Sequence, residues 1–66
     1  MADTELQIAA REASDQKQLV LRQQAVVLSL KREGGARLER ETELLESMRN
    51  ELMLKEGRLE QLVFNA

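Results

Sequence analysis

The chain has 66 residues with 42% hydrophobic and 33% charged residues, a formal net charge of −2, one aromatic residue (Phe64), and no cysteine, histidine or proline. This composition excludes disulfide bonds and histidine or cysteine metal sites, and the charge gives no basis for general nucleic-acid binding. A chain this short forms one small domain, which gains stability most simply by oligomerisation.

The first predicted helix begins near Thr4 and runs to about residue 33. Thr4 and Gln7 have the spacing of a capping box, in which each side chain bonds the backbone N–H of the other residue. Asp3 and Glu5 suit the positive end of the helix dipole. We therefore expect the helix to start at this point.

The apolar residues of this helix form an unusually wide face. Leu19, Val20 and Leu21 are followed one heptad later by Val26, Val27 and Leu28. These three columns span about 200° of a helix surface. One partner helix covers a narrower stripe, so the face over residues 19–30 predicts two neighbouring helices.

Gly34 and Gly35 form the predicted turn or hinge at the midpoint of the chain. Lys31 and Arg32 suit the C-terminal end of a helix, and glycine suits the position after it. We therefore predict a turn and an αα-hairpin. One continuous helix in a dimeric coiled coil is the alternative, favoured by the missing N-cap residue before Ala36.

The second predicted helix covers about residues 36–64 and has a heptad pattern. Leucine occupies every a position, and the d positions hold two apolar and two charged residues. The a residues are Leu38, Leu45, Leu52 and Leu59, and the d residues are Glu41, Met48, Lys55 and Leu62. The d column continues the phase of Leu6, Ala13, Val20 and Val27 in the first half. The same assignment puts Ala10, Lys17, Gln24 and Lys31 at the a positions there, which is a poor seam.

Charge varies in sign along the chain. Residues 1–16 carry four acids and one base, residues 17–32 carry four bases and no acid, and residues 33–66 carry eight acids and five bases. Folding at the glycines brings the basic segment opposite residues 37–52, which are net acidic. The pattern favours antiparallel contact, either within a hairpin or between continuous helices.

The stretches Arg37–Glu46 and Lys55–Leu62 resemble segments of long eukaryotic coiled-coil scaffold proteins of the myosin-rod, centrosomal or ciliary type. The likeness covers about residues 36–63. It implies scaffolding or dimerisation within a larger, cytoskeleton-associated protein, and it carries over no catalytic residue.

The sequence thus predicts one all-α segment over residues 1–66 that self-associates, most simply as a dimeric antiparallel four-helix bundle. Its predicted function is structural oligomerisation or protein–protein interaction. We expect no enzyme activity, cofactor, metal, nucleic acid or small-molecule substrate. The predicted interface residues are Leu6, Ala13, Val20, Val27, Leu30, Leu38, Leu45, Met48, Leu52, Leu59 and Leu62.

Two alternatives stay open. One is a regulatory module that binds a partner helix, such as another coiled-coil protein, through an additional face formed by Leu19, Leu21, Val26 and Leu28. The other is a basic amphipathic helix, residues 17–32, lying on a membrane surface. The absence of cysteine and of a signal-peptide pattern gives an expected cytoplasmic location.

Overall fold

The computed structural model describes residues 3–65, which form two antiparallel helices joined by a short turn. Helix α1 is Glu5–Leu30 and helix α2 is Ala36–Phe64. The pair measures 47 × 21 × 12 Å, the shape of two helices lying side by side. The predicted all-α helical hairpin is therefore confirmed, while the predicted segment also includes residues 1, 2 and 66, which lie outside the described residues.

The N-terminal end of α1 is the predicted capping box. The Gln7 backbone N–H donates to Thr4 Oγ1 at 3.1 Å, and the Thr4 backbone N–H donates to Gln7 Oε1 at 2.9 Å. Two N–H groups that have no partner within the helix are satisfied in this way. The local sequence alone thus determines where α1 begins.

The turn between the helices depends on two left-handed glycines. The backbone N–H groups of Glu33 and Gly34 both donate to the Leu30 carbonyl oxygen, at 3.0 and 2.8 Å. Gly34 has φ +71° and Gly35 has φ +92°. The Gly34 bond is the αL type of C-cap. Helix α1 ends at Leu30, three residues earlier than predicted, and residues 31–33 form a turn that leads into the glycines.

Helix α2 begins at Ala36 without a side-chain cap, since its N-cap position is Gly35. The sequence predicted this weak start. The hairpin forms nevertheless, because the packing of an apolar stripe contributes more to helix stability in a protein than a single cap does.

The apolar core is small and lies along the seam between the helices. Its centre contains Val20, Val27 and Leu45, with three partly buried residues, Leu38, Met48 and Leu52, packed against it. Smaller buried side chains, Ala9 and Ala13, continue the seam toward the start of α1. The alanines are small, so they bury little apolar area.

We expect the double variant Gly34→Ala, Gly35→Ala to lose about 2–4 kcal/mol of unfolding free energy, since both positions have backbone angles that alanine adopts only at a cost. Space is not the reason, because an added Cβ would meet no atom within 4 Å. Gly57→Ala is the matched control: Gly57 lies inside α2, so alanine should stabilise the protein by up to about 1 kcal/mol. Thermal melts of both variants provide the measurement. A double variant as stable as the parent would contradict the described turn.

We expect Leu45→Ala to destabilise the hairpin by about 2–3 kcal/mol, because Leu45 is 6% exposed at the centre of the core. Met53→Ala is the control, since Met53 is 71% exposed on the same helix. Circular dichroism during urea titration measures both changes. Equal midpoints for the two variants would show that Leu45 does not pack in the core.

Candidate functional site

The features available for function in residues 3–65 are helix faces and shallow grooves. One open groove of about 390 Å³ is lined by Val26, Ser29 and Arg37 among others. A second, of about 220 Å³, includes Leu28 and Arg49 in its lining. Within the described residues, no group of three or more potential ligand side chains is arranged to hold a metal ion. Neither described helix has an apolar stretch that meets the length and hydropathy of a membrane span.

The seam side of α1 contains the predicted residues Ala13, Val20, Val27 and Leu30 together with three others. Successive buried residues of α1 lie alternately four and three residues apart, as in a heptad seam, and they form two columns in which residues repeat every seven positions. The a positions of the heptad phase, which the sequence indicates are a poor seam, do not form the second column; they are Ala10, Lys17, Gln24 and Lys31. The buried residues of α1 are Ala9, Ala13, Gln16, Val20, Gln23, Val27 and Leu30.

Two buried glutamines of α1 bond across the seam to α2. The Gln23 side-chain amide donates to the Glu41 carbonyl oxygen at 2.9 Å and to Glu41 Oε2 at 2.6 Å. The Gln16 side-chain amide donates to the Met48 carbonyl oxygen at 3.0 Å, and Gln16 Oε1 accepts from Lys55 Nζ at 3.1 Å. These four bonds join α1 to α2 at defined heights along the seam.

The network explains the two charged d residues of α2. Glu41 and Lys55, which interrupt the apolar d column, are the partners of Gln23 and Gln16. Among the described residues, no buried side-chain nitrogen or oxygen lacks a hydrogen-bond partner. A polar group inside a seam costs little when it is satisfied in this way. The interruptions in the heptad are therefore compatible with a packed hairpin.

Sequence reasoning did not identify Gln16 and Gln23 as seam residues. Their signal is present: they lie seven residues apart and continue the spacing of Ala9 and Leu30. Apolar periodicity alone does not indicate this column, because glutamine is not apolar.

The residues of the predicted interface occupy different depths in the hairpin. Ten of the eleven predicted interface residues are buried or half-buried, and Leu6, near the start of α1, is 36% exposed. The buried members are Ala13, Val20, Val27, Leu30 and Leu45, and the half-buried members are Leu38, Met48, Leu52, Leu59 and Leu62.

Helix α2 divides the predicted wide apolar face of α1 into two parts. Val20 and Val27, at its centre, pack against α2. Val26 lines the same groove as Arg37, whereas Leu28 lines the other groove with Arg49. The grooves lie on opposite sides of the seam, so the four residues of the predicted additional face do not form one surface.

Each side of the seam carries apolar residues from both helices. We assign a residue to one side or the other by comparing its heptad position with those of the residues that line the two grooves. We call one side the Leu19 flank, formed by Ile8, Leu19, Val26, Leu44 and Leu54. We call the other the Leu21 flank, formed by Leu21, Leu28, Met53 and Val63. Most of these side chains are well exposed, from 44% for Leu19 to 72% for Leu54, and Val26 is half-buried.

Ion pairs contribute little to the hairpin. Within residues 3–65 the one pair in contact joins Arg11 and Asp3 at 2.9 Å, and both side chains are largely exposed. It lies at the beginning of α1 and does not link the helices. The predicted approach of a basic and an acidic segment therefore produces no direct inter-helix ion pair among the described residues.

Comparison with known proteins gives no match to this chain among family models, curated proteins or solved structures.

We expect Gln23→Ala to lower the unfolding free energy by about 1–2 kcal/mol, because it removes the hydrogen bonds to Glu41 and leaves a gap in the seam. Gln18→Ala is the matched control, since Gln18 is exposed on the same helix. Chemical denaturation followed by circular dichroism measures both. If the two variants unfold at the same denaturant concentration, Gln23 does not stabilise the seam.

Proposed function

We propose that this chain is a structural oligomerisation and protein–protein interaction module, which acts through helix packing and performs no catalysis. The supporting observation is the pair of apolar flanks. The leucines of both flanks are 44–72% exposed in the hairpin. They are Leu19, Leu44 and Leu54 on one side and Leu21 and Leu28 on the other. Contiguous exposed apolar residues on a small protein mark a contact surface.

The size of the core supports the same proposal. The buried apolar residues include two alanines and two valines, and the largest, Leu30 and Leu45, are each 6% exposed. A domain of this length rarely gains ample stability from one core of this kind. Covering a flank with further helices would bury additional apolar area at roughly 25 cal/mol per Å².

A self-associating hairpin, most simply a dimer that forms a four-helix bundle, is the leading form of the proposal. A regulatory module that binds a heterologous helix is the second form, favoured by Leu28, which shares a groove with the basic residues Lys31 and Arg49. A membrane-surface helix over residues 17–32 has less support, because Val20 and Val27 are engaged with α2. The cytoplasmic location and the scaffold role expected from the sequence remain part of the proposal.

We expect the purified chain to have at least twice its monomer mass of 7.6 kDa at micromolar concentrations. Its melting temperature should rise with protein concentration, since only the assembled state gains from mass action. Sedimentation equilibrium and thermal melts over a hundredfold concentration range test both expectations. A chain that is monomeric throughout and becomes more stable only with an added helical partner would favour the second form.

A further inference from the structure

The Leu19 flank contains charges of both signs that are segregated along α1. Glu12 and Asp15 lie in its first half, and Arg22 lies in its second half. The whole helix shows the same division, since residues 5–16 carry three acids and one base and residues 17–30 carry two bases and no acid. A second α1 running antiparallel would bring opposite charges together, whereas a parallel one would bring like charges together.

An antiparallel pair of α1 helices has a well-matched alignment centred on residue 17. In this alignment Glu12 lies opposite Arg22 of the second copy, and Ile8 lies opposite Val26 of the second copy. By symmetry each contact occurs twice. Ile8 and Val26 thereby cover each other, and the two charged residues become neighbours of opposite sign.

Helix α2 has a matching alignment on the same flank, centred on residue 49. Its two apolar residues there, Leu44 and Leu54, then lie opposite each other across an antiparallel α2 pair. Arg40 also approaches Arg58, an exposed like-charge pair that water and salt screen. The two centres come from separate helices, so their relative height is an independent test of the alignment.

A single twofold axis requires the two centres to lie at the same height in the hairpin. The Gln16 side-chain amide donates to the Met48 carbonyl oxygen at 3.0 Å. Because the helices are antiparallel, this bond sets residue 17 level with residue 47, so the centres at residues 17 and 49 differ in height by two residues, about 3 Å. One axis perpendicular to the helices, placed midway between the two centres, satisfies each alignment to within about 1.5 Å along the helix.

We propose that a second copy of this chain docks on the Leu19 flank, with α1 against α1 and α2 against α2, so that the two turns lie at opposite ends of the dimer. The inference rests on the proposed self-association and specifies its surface and direction. Four of the five apolar residues of the flank face one another in this dimer, Ile8 with Val26 and Leu44 with Leu54, whereas Leu19 lies opposite Asp15 of the second copy.

Two other arrangements are less favourable. With both turns at the same end, α1 faces α2 of the second copy, and at the height set by Gln16 and Met48 this brings Asp15 near Glu51. On the Leu21 flank, α1 presents Lys17 and Lys31 with no acid, so an α1 pair there would bring basic residues together.

Spin-label distances test the direction of the dimer. The chain has no cysteine, so Gln18→Cys and Ala25→Cys each give one labelling site, and the two positions are exposed and one heptad apart. In the proposed dimer, labels at position 25 lie about 21 Å farther apart along the helix axis than labels at position 18. Equal distances at both positions would overturn the proposed direction but leave self-association intact. A chain that stays monomeric would overturn both.

Charge reversal tests the contacts. We expect Arg22→Glu and Glu12→Arg each to raise the dimer dissociation constant about tenfold at low salt, since two symmetric attractive pairs become repulsive. The double variant should recover to within about twofold of the parent. Both side chains are exposed, so the helix content of each variant should match the parent. Leu21→Lys is the control on the other flank and should leave dimerisation unchanged. A double variant no tighter than the single variants, or a Leu21→Lys variant that dissociates, would overturn the proposal.

Discussion

The hydrogen bonds of Gln16 and Gln23 fix the height of one helix relative to the other. A seam of leucine and valine alone repeats every seven residues, so a shift by one heptad would exchange one apolar contact for a similar one. The glutamines disfavour such a shift, because each bonds a defined group of α2: Gln23 to Glu41, and Gln16 to Met48 and Lys55. A one-heptad shift would put one glutamine in the place of the other, and it would leave the second glutamine and either Glu41 or Lys55 without a partner near the core. The position of every exposed side chain on one helix relative to the other follows from this alignment.

The narrowness of a two-helix seam determines what remains exposed. One helix covers only a stripe of its partner, and the apolar arc of α1 is wider than that stripe. Helix α2 covers the central column, Val20 and Val27, and leaves apolar residues on both sides. The exposed flanks are thus a geometric consequence of packing α1 against a single neighbour. Self-association is the simplest way to cover them, since every copy carries the same surfaces at the same height.

Local signals in the sequence predicted much of the fold. The Thr4 cap depends on residues three apart, and the turn depends on Gly34 and Gly35, so both can be recognised without knowledge of the partner helix. The α1 side of the seam could not be assigned in this way, because a column such as Gln16 and Gln23 becomes recognisable only when its partners are known. Glu41 and Lys55, taken alone, are interruptions in an apolar column. Once the four residues are considered as pairs across an antiparallel seam, they form one network.

The charge pattern of α1 has little role inside the hairpin. Among residues 3–65 no ion pair joins α1 to α2, and the glutamine contacts to Glu41 and Lys55 involve one uncharged partner each. The change from an acidic first half to a basic second half therefore has no counterpart in the intramolecular packing. Exposed charges contribute modestly to stability but strongly to the choice and orientation of partners. In this chain the glutamines can specify how each hairpin closes, while the charges along the outer side of α1 can specify how two hairpins meet.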